Sequence, residues 1–265
     1  MPENFNRHLV ELSHINKTFN AGSVNEALLF ENFNFSIERG QFISIVGSNG
    51  SGKTTLLNLI CGSLMPESGS ILFDGRDITK MPEYRRSAFI GRVFQDPATG
   101  ACPSLTILEN MALADNKGKK YNLTPGVSKK RIDYYKQQLE MLHLGLEDKI
   151  SMPVGLLSGG QRQALALLIS TLTPIDLLIL DEHTAALDPK SSENVMELTD
   201  KFVREKNLTA VMVTHNLRYA VEYGDRLVMM HKGTAVKDVA YHEKDACTVE
   251  DLLKTFNQIS VECGN

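Results

Sequence analysis

Gly47-Ser48-Asn49-Gly50-Ser51-Gly52-Lys53-Thr54 decides the fold, because this stretch fits the phosphate-loop pattern G-x-x-x-x-G-K-[ST] in full. The run at 42–46 before it is apolar and β-branched, which predicts a buried strand, and a helix is expected from Lys53 to about Ser63. Glycines let such a loop turn its backbone N–H groups around a phosphate, and the helix start adds positive potential. Lys53 would reach the β- and γ-phosphates of a nucleotide, and the Thr54 hydroxyl would bind Mg²⁺.

A second apolar run, at 177–180, ends in two carboxylates, Asp181 and Glu182. An aspartate in this position holds Mg²⁺ through water, and the adjacent glutamate can polarise an attacking water as a general base. Beside the phosphate loop, the pair indicates nucleotide hydrolysis. Each motif alone has a structural alternative: a Gly/Ser-rich turn before a helix for the loop, and an acidic helix cap for the pair.

Alternating strands and helices at both ends of the chain predict an α/β fold with a parallel sheet covered on both faces. Strands are expected at 9–19, 27–37, 71–73, 90–94, 177–180, 209–213 and 226–230. Helices are expected from Gly160 onward and at 189–206, 217–222 and 249–259. Between about Asp96 and Leu157 the pattern is helical, with one helix at 108–114 and another that Ser128 caps, running to about Leu144 with Gly145 as its stop signal. We interpret this middle segment as a helical lobe inserted into the α/β core. A short tail with one helix is expected after Gly233.

Composition narrows the function further. The 265 residues, 42% hydrophobic and 23% charged, suit one large domain or one domain with an inserted lobe. A net charge of -4 argues against a protein that coats nucleic acid, and no nucleic-acid partner is expected. No signal peptide and no stretch of about 18 apolar residues is apparent, so the chain is not expected to span a membrane. The cysteines lack metal-ligand spacing and are interpreted as reduced thiols (Cys61, Cys102, Cys247, Cys263).

Leu157-Ser158-Gly159-Gly160-Gln161 resembles the LSGGQ signature of the ATP-binding-cassette (ABC) ATPases. Ser158 and the amides of Gly159 and Gly160 are expected at a helix N-terminus, where they form a second anion-binding site. In that family the signature of one protomer covers the γ-phosphate held by the phosphate loop of the other. The resemblance therefore implies a head-to-tail dimer with two ATP sites. A Gly-Gly helix start without function is the alternative.

Further positions follow in the order of the family. Gln95 resembles the Q-loop glutamine, which contacts Mg²⁺ and the attacking water, and Asp188 matches the D-loop at the dimer interface. His215 resembles the switch histidine that contacts the γ-phosphate, although a lone histidine is more often structural. Phe19 lies where the family stacks an aromatic ring on adenine, although it could equally be a core residue.

The resemblance implies the following residue roles. The residues expected to contact ATP are Phe19, Gly47, Ser48, Asn49, Gly50, Ser51, Gly52, Lys53, Thr54, Thr55, Gln95, Ser158, Gly159, Gly160, Gln161 and Asp188. The expected catalytic residues are Lys53, Gln95, Glu182 and His215, and the expected Mg²⁺ residues are Thr54, Gln95 and Asp181. The sequence departs from the family pattern at His183, where a proline is usual, and at Ala185, where a serine is common. Neither change removes a catalytic carboxylate, so two competent sites are expected, while the geometry of the D-loop stays open.

The resemblance covers about residues 10–233 and implies a P-loop NTPase fold. Its expected parts are a RecA-like core with a mostly parallel sheet, an N-terminal antiparallel β subdomain and an inserted α-helical subdomain. The whole chain, 1–265, is then a single ABC ATPase domain. Residues 1–95 and 159–240 form the β subdomain and the catalytic core, 96–158 the helical subdomain, and 241–265 a C-terminal helical tail.

The implied function is ATP hydrolysis to ADP and phosphate that powers transport of a small solute through a separate membrane permease. The expected partners are a second cassette, the permease subunits and a solute-binding protein, with the cassette peripheral on the cytoplasmic face of the cell membrane. The permease is expected to dock at 97–108, bordered by Thr106, Ile107 and Glu109. Alternatives are an ABC ATPase that moves no solute, a nucleotide sensor without turnover and the cassette of an exporter. The segments 91–97 and 105–110 look like a bacterial subgroup whose permeases resemble those for branched-chain amino acids, which favours an amino acid or related solute.

Overall fold

A computed structural model of the chain describes residues 7–119, 123 and 125–262. The strands are β1 (His8–Phe19), β2 (Ala27–Glu38), β3 (Phe42–Gly47), β4 (Ser68–Phe73), β5 (Arg76–Asp77), β6 (Ile90–Val93), β7 (Leu177–Asp181), β8 (Thr209–Val213), β9 (Arg226–His231) and β10 (Thr234–Ala240). The helices are α1 (Lys53–Cys61), α2 (Glu83–Arg86), α3 (Pro97–Gly100), α4 (Ile107–Asp115), α5 (Ile132–Glu140), α6 (Gly159–Ser170), α7 (Pro189–Glu205), α8 (Leu217–Glu222), α9 (His242–Asp245) and α10 (Val249–Glu262). Two compact units result: one combines the residues up to Glu83 with those from Thr209 onward, and the other spans Tyr84–Leu208.

The first unit contains an antiparallel sheet with the strand order β2-β1-β4-β5. Four residues of β1 are buried (Leu9, Val10, Leu12 and Ile15), and Leu12 pairs with the buried Phe35 of β2 and Ile15 with the buried Phe33. The Phe30 and Phe33 rings stack with their centroids 4.5 Å apart. From Phe33 to Ile37, apolar and polar residues alternate in β2 because one face of the strand packs in the core.

The same unit holds the strands that carry the phosphate loop, in the order β10-β9-β3-β8. All six residues of β3 are buried, and β3 pairs in parallel with both β8 and β9. Parallel strands bring their carboxyl ends to one edge of the sheet. The loop after Gly47 and the segment after Val213 consequently leave the sheet at the same edge, and the Thr214 amide donates to the Ile45 carbonyl at 3.1 Å.

The second unit combines the parallel pair β6 and β7 with helices that include α4 to α7. The signature helix α6 packs against α4, α5 and α7, and its middle, from Gln163 to Leu168, is buried without a polar stripe. A helix that is enclosed on several faces has apolar residues all around it, and the sequence of α6 is accordingly almost continuously apolar in its middle. The expected helical character of this part of the chain is confirmed.

The helix expected from Ser128 to Leu144 is wrong in both bounds. Residues Lys129–Arg131 form a 3-10 turn, and the Ser128 side chain makes no capping hydrogen bond. The α-helix begins at Ile132 and ends at Glu140, after which the chain continues in tighter turns up to His143, whose φ of 53° is left-handed. The stop comes before Gly145 because a left-handed residue ends the helical hydrogen-bond ladder.

The tail after Gly233 contains more secondary structure than the single helix expected there. It starts with β10, which pairs antiparallel with β9, before α9 and α10 follow. Most residues of β10 are exposed or half-buried, so its sequence lacks the apolar alternation that marks a strand.

No helix in the described chain is long and apolar enough to cross a membrane. Cys61, Cys102 and Cys247 are free thiols, of which Cys102 is exposed, while Cys263 lies outside the described residues.

Candidate nucleotide-binding and hydrolysis site

The phosphate loop leaves β3 in a conformation that only glycine tolerates. Gly47 has a φ of 155°, and a Cβ added there would overlap the carbonyl oxygen of Met230 on β9. Helix α1 begins at Lys53, with Gly52 (φ 105°) as its N-cap and no side-chain hydrogen bond to the cap. The first N–H groups of a helix lack partners within the helix. The start of α1 therefore presents donors and a positive dipole end that suit an anion.

Lys53 lies inside this loop with 5% of its surface exposed. Its Nζ donates to the carbonyl oxygens of Gly47 and Ser48 at 2.9 and 3.0 Å. A buried ammonium needs such acceptors, and here the loop supplies them. The hydroxyl of Ser51 is buried and has no hydrogen-bond partner in the described chain. The arrangement suits a loop whose polar groups are completed by a phosphate.

Two further predicted residues lie in the first unit. His215 is exposed and follows β8, at the same edge as the phosphate loop. Asn216 caps α8 through hydrogen bonds from the Arg218 and Tyr219 amides, which fixes the segment that carries the histidine. Phe19 ends β1 with 36% of its surface exposed, so it is not a core residue. The Nζ of Lys17 lies 5.6 Å from the centre of its ring.

In the second unit, β7 delivers the two adjacent carboxylates. The Asp181 side chain is 14% exposed, and its Oδ2 accepts a hydrogen bond from Arg92 Nη2 at 2.6 Å. Glu182 has a left-handed φ of 49°, and its carbonyl accepts from the Ala185 amide at 3.0 Å. The chain therefore turns sharply at Glu182, directly after the end of β7.

His183 occupies the position where a proline is usual in the family and is buried. Its Nε2 lies 3.2 Å from Thr199 Oγ1 on α7, and the Thr199 hydroxyl donates to the Val195 carbonyl at 2.7 Å. Because that hydroxyl proton is already engaged, His183 donates and carries its proton on Nε2. Burial lowers the pKa of His183 to about 4, so the ring is neutral. This hydrogen bond ties the residue after Glu182 to α7.

The signature motif forms the start of α6 with a capping box. Ser158 Oγ accepts from the Gln161 amide at 3.2 Å, and Gln161 Oε1 accepts from the Ser158 amide at 3.1 Å. A Cβ added at Gly160 would lie 3.1 Å from Ser191 on α7, so a small residue is needed where the two helices begin side by side. Asp188 caps α7, and the hydrogen bond from Ser191 lowers the pKa of its carboxyl.

Gln95 is exposed and follows β6 directly before α3. The segment around it is held from both sides. Asp96 caps α3 by accepting from the Ala98 amide at 2.9 Å, and the Phe94 carbonyl accepts from Gln163 Nε2 at 3.1 Å. Since Gln163 belongs to α6, the glutamine segment is tied to the signature helix.

The residues expected to bind Mg²⁺ suit a hard cation that takes few protein ligands. The described chain holds no cluster of three or more His, Cys, Asp or Glu side chains that would form a metal site alone. The Thr54 hydroxyl is exposed in the first turn of α1, and Arg92 contacts the Asp181 carboxylate through Oδ2. Hydroxyl, carboxylate, water and phosphate oxygens are the ligands that Mg²⁺ prefers.

The first unit thus brings together the phosphate loop and His215, and the second brings together Asp181, Glu182, the D-loop and the signature. Sequence reasoning missed Arg92 and Thr199. The contacts of both residues depend on strand register and helix packing, for which the sequence offers no local signal.

Comparisons with known proteins agree with this geometry. The family model described as ABC transporter matches residues 30–185. A tyrosine transport ATP-binding protein of Clostridioides difficile is 49% identical over 94% of this chain and 98% of its own length. The ABC transporter ATP-binding protein YxdL of Bacillus subtilis is 32% identical over 95% of both chains.

Solved structures show the same fold. The ATP-binding cassette MJ0796, a dimer in a post-hydrolysis state with ADP and phosphate, matches with a TM-score of 0.74 and 30% identity over 87% of this chain and 98% of its own. The cassette MJ1267 in its ADP conformation matches with a TM-score of 0.79 over 98% of this chain and all of its own, at 22% identity.

The chain belongs to the ABC transporter family. It is an ATP-binding subunit that hydrolyses ATP with Mg²⁺, and such cassettes dimerise and pair with membrane permease subunits.

Proposed function

We propose that this cassette powers the uptake of an aromatic or related amino acid through a separate permease. The observation that carries the solute class is the 49% identity over 94% of the chain to a tyrosine transport ATP-binding protein. The cassette would lie peripherally on the cytoplasmic face of the cell membrane, and a solute-binding protein would deliver the amino acid to the permease. The permease would dock at 97–108, in the helical subdomain that we assign to 96–158.

We assign ATP binding to the phosphate loop, with Phe19 stacking on adenine and Lys53 on the β- and γ-phosphates. The uncapped start of α1 and the internal bonds of Lys53 support this assignment. Thr54, Gln95 and Asp181 would hold Mg²⁺, which when bound offsets the charge of the phosphate oxygens.

Hydrolysis would then proceed by in-line attack of water on the γ-phosphorus. Glu182 accepts the proton of the water, the bond from the γ-phosphorus to the bridging oxygen breaks, and the bond electrons stay with ADP. His215 and Gln95 orient the water and the γ-phosphate. The signature of the partner subunit, at the start of its own α6, closes the site over the γ-phosphate, and loss of that phosphate reopens the dimer.

The test compares wild type with Glu182→Gln. Wild type is expected to hydrolyse ATP, while the variant binds Mg-ATP without turnover and elutes as an ATP-dependent dimer in size-exclusion chromatography. Removal of a general base typically costs a factor of about 10² to 10⁴ in rate. A variant with wild-type turnover would remove Glu182 from the mechanism.

The solute is tested separately. The permease subunits are first identified by their co-purification with the cassette. They are then co-expressed with it, and the complex is reconstituted in vesicles with external solute-binding protein. ATP-dependent accumulation of tyrosine, absent with Glu182→Gln, is expected. If the loaded vesicles move only non-aromatic solutes, the assignment of the solute class is wrong while the ATPase assignment stands.

A further inference from the structure

Arg92 is a charged, mostly enclosed residue for which the proposed mechanism has no role. Its guanidinium donates to Asp181 Oδ2 at 2.6 Å, and only 13% of its side chain is exposed. The guanidinium carbon also lies 4.7 Å from the centre of the Phe94 ring. Arg92 is thus held between the carboxylate expected to bind Mg²⁺ and the residue that precedes Gln95.

This placement follows from the strand register. β6 and β7 are parallel, and Arg92 pairs with Ile179, two residues before Asp181. Side chains two residues apart lie on the same face of a strand. The long arginine side chain therefore reaches along β7 to the carboxylate at its end, while the ring of Phe94, the residue directly after β6, packs against the planar guanidinium.

The electrostatic consequence concerns divalent cations. An arginine remains protonated at any physiological pH, so the Asp181 carboxylate has a permanent positive neighbour. A unit charge at hydrogen-bond distance offsets the charge of the carboxylate and repels a metal ion, the more so because both side chains are largely shielded from water. Nucleotide phosphates would supply the additional negative charge that makes cation binding favourable.

We propose that Arg92 neutralises and orients Asp181, so that Asp181 takes up a divalent cation only together with nucleotide phosphates. Arg92 is in this sense a positioning residue and does not touch the reacting atoms. The inference rests on the proposed role of Asp181 as a Mg²⁺ residue. The proposal predicts an order of binding: the nucleotide-free cassette does not bind cellular Mg²⁺, and the metal binds together with the nucleotide as Mg-ATP.

The test measures metal binding without turnover. Mn²⁺ binding to the nucleotide-free protein is followed by electron paramagnetic resonance in wild type, Arg92→Gln, Arg92→Met and Arg92→Lys. The two neutral variants are expected to bind Mn²⁺ at least about tenfold more tightly than wild type, because a unit positive charge beside the carboxylate is gone. Arg92→Lys keeps the charge and is expected to resemble wild type. Arg92→Met preserves packing on Phe94 and serves if the glutamine variant is unstable, which thermal unfolding would reveal.

A purely structural ion pair gives a different pattern. Both neutral variants would then unfold at lower temperature, with Mn²⁺ affinity unchanged, and the inference would be overturned. Asp181→Asn separates this failure from that of the proposed function, through the affinity for the ATP analogue AMP-PNP with Mg²⁺ and with EDTA. If Mg²⁺ still increases the affinity of Asp181→Asn for AMP-PNP as it does in wild type, Asp181 does not bind Mg²⁺ and the inference is wrong too. If Asp181→Asn loses this increase in affinity but the neutral Arg92 variants bind Mn²⁺ no more tightly than wild type, only the inference about Arg92 is wrong.

Discussion

At the residue scale, the buried neutral ring of His183 makes the stability of the protein depend on pH. The folded pKa is about 4, whereas an exposed histidine has a pKa of about 6.5. As the pH falls below the higher value, the unfolded chain takes up a proton that the folded chain does not, so the folded state loses stability. The loss grows until the pH reaches the folded pKa. Between about pH 7.5 and pH 5, His183 is expected to contribute a loss of about 2 kcal/mol.

The measurement is urea unfolding of wild type and His183→Gln across this pH range. Glutamine does not titrate, and its amide can still donate to Thr199. Since every carboxylate is common to both proteins, the difference between them isolates the histidine. Parallel pH dependences in the two proteins would show that the ring is charged in the folded state or solvated.

The residues to which we assign phosphate binding could be placed from the sequence, whereas the residues that contact and support the site could not. Lys53 and Thr54 belong to a contiguous motif whose local geometry is set by neighbouring glycines and a helix start. Arg92 and Thr199 act across a strand pair and across a helix contact, at separations of 89 and 16 residues from their partners. Such contacts depend on register and packing, which a single sequence leaves undetermined.

At the scale of elements, helix α10 packs against the rest of the first unit through one of its faces. Leu252 is fully buried in a cluster with Val46 of β3 and Leu227 of β9, whereas its neighbour Leu253 is 48% exposed. Leu252→Ala is expected to lower the free energy of unfolding by about 2–5 kcal/mol, because it leaves a cavity in this cluster. Leu253→Ala is expected to change it by less than about 0.5 kcal/mol. Urea unfolding of the two variants tests this prediction. Equal losses of unfolding free energy would mean that α10 does not pack through Leu252.

The elements predicted well are those whose burial is one-sided or complete. The segments at Thr209–Val213 and Leu217–Glu222 have the predicted bounds, because each has a clear apolar pattern and a definite boundary signal. The sequence does not predict β10 because it is an exposed edge strand, and the predicted α5 is too long because the left-handed His143 ends the helical turns before Gly145.

At the scale of the whole molecule, the proposed head-to-tail dimer would make each site depend on two chains. Lys53→Ala damages the phosphate loop, and Ser158→Arg blocks the signature, so each variant alone has two defective sites. A mixed dimer has one site in which both defects meet and one with neither. An equal mixture is expected to regain ATP turnover at up to about a quarter of the wild-type rate, because half of the dimers are mixed and each has one intact site. The measurement is ATPase activity of each variant alone and of the mixture; a mixture as inactive as its components would contradict sites shared between protomers.

The uncapped start of α1 affects how the protein should be handled at the bench. We assign phosphate binding to its backbone donors and to the enclosed Lys53 ammonium, and such a set of donors is expected to accept other tetrahedral oxyanions as well. Sulfate or inorganic phosphate in a buffer will therefore occupy the loop and compete with the nucleotide. Affinities for ATP measured in phosphate buffer will be weaker than those measured in an amine buffer of equal ionic strength. Crystallisation from ammonium sulfate will for the same reason favour a nucleotide-free, single-subunit form over the closed pair.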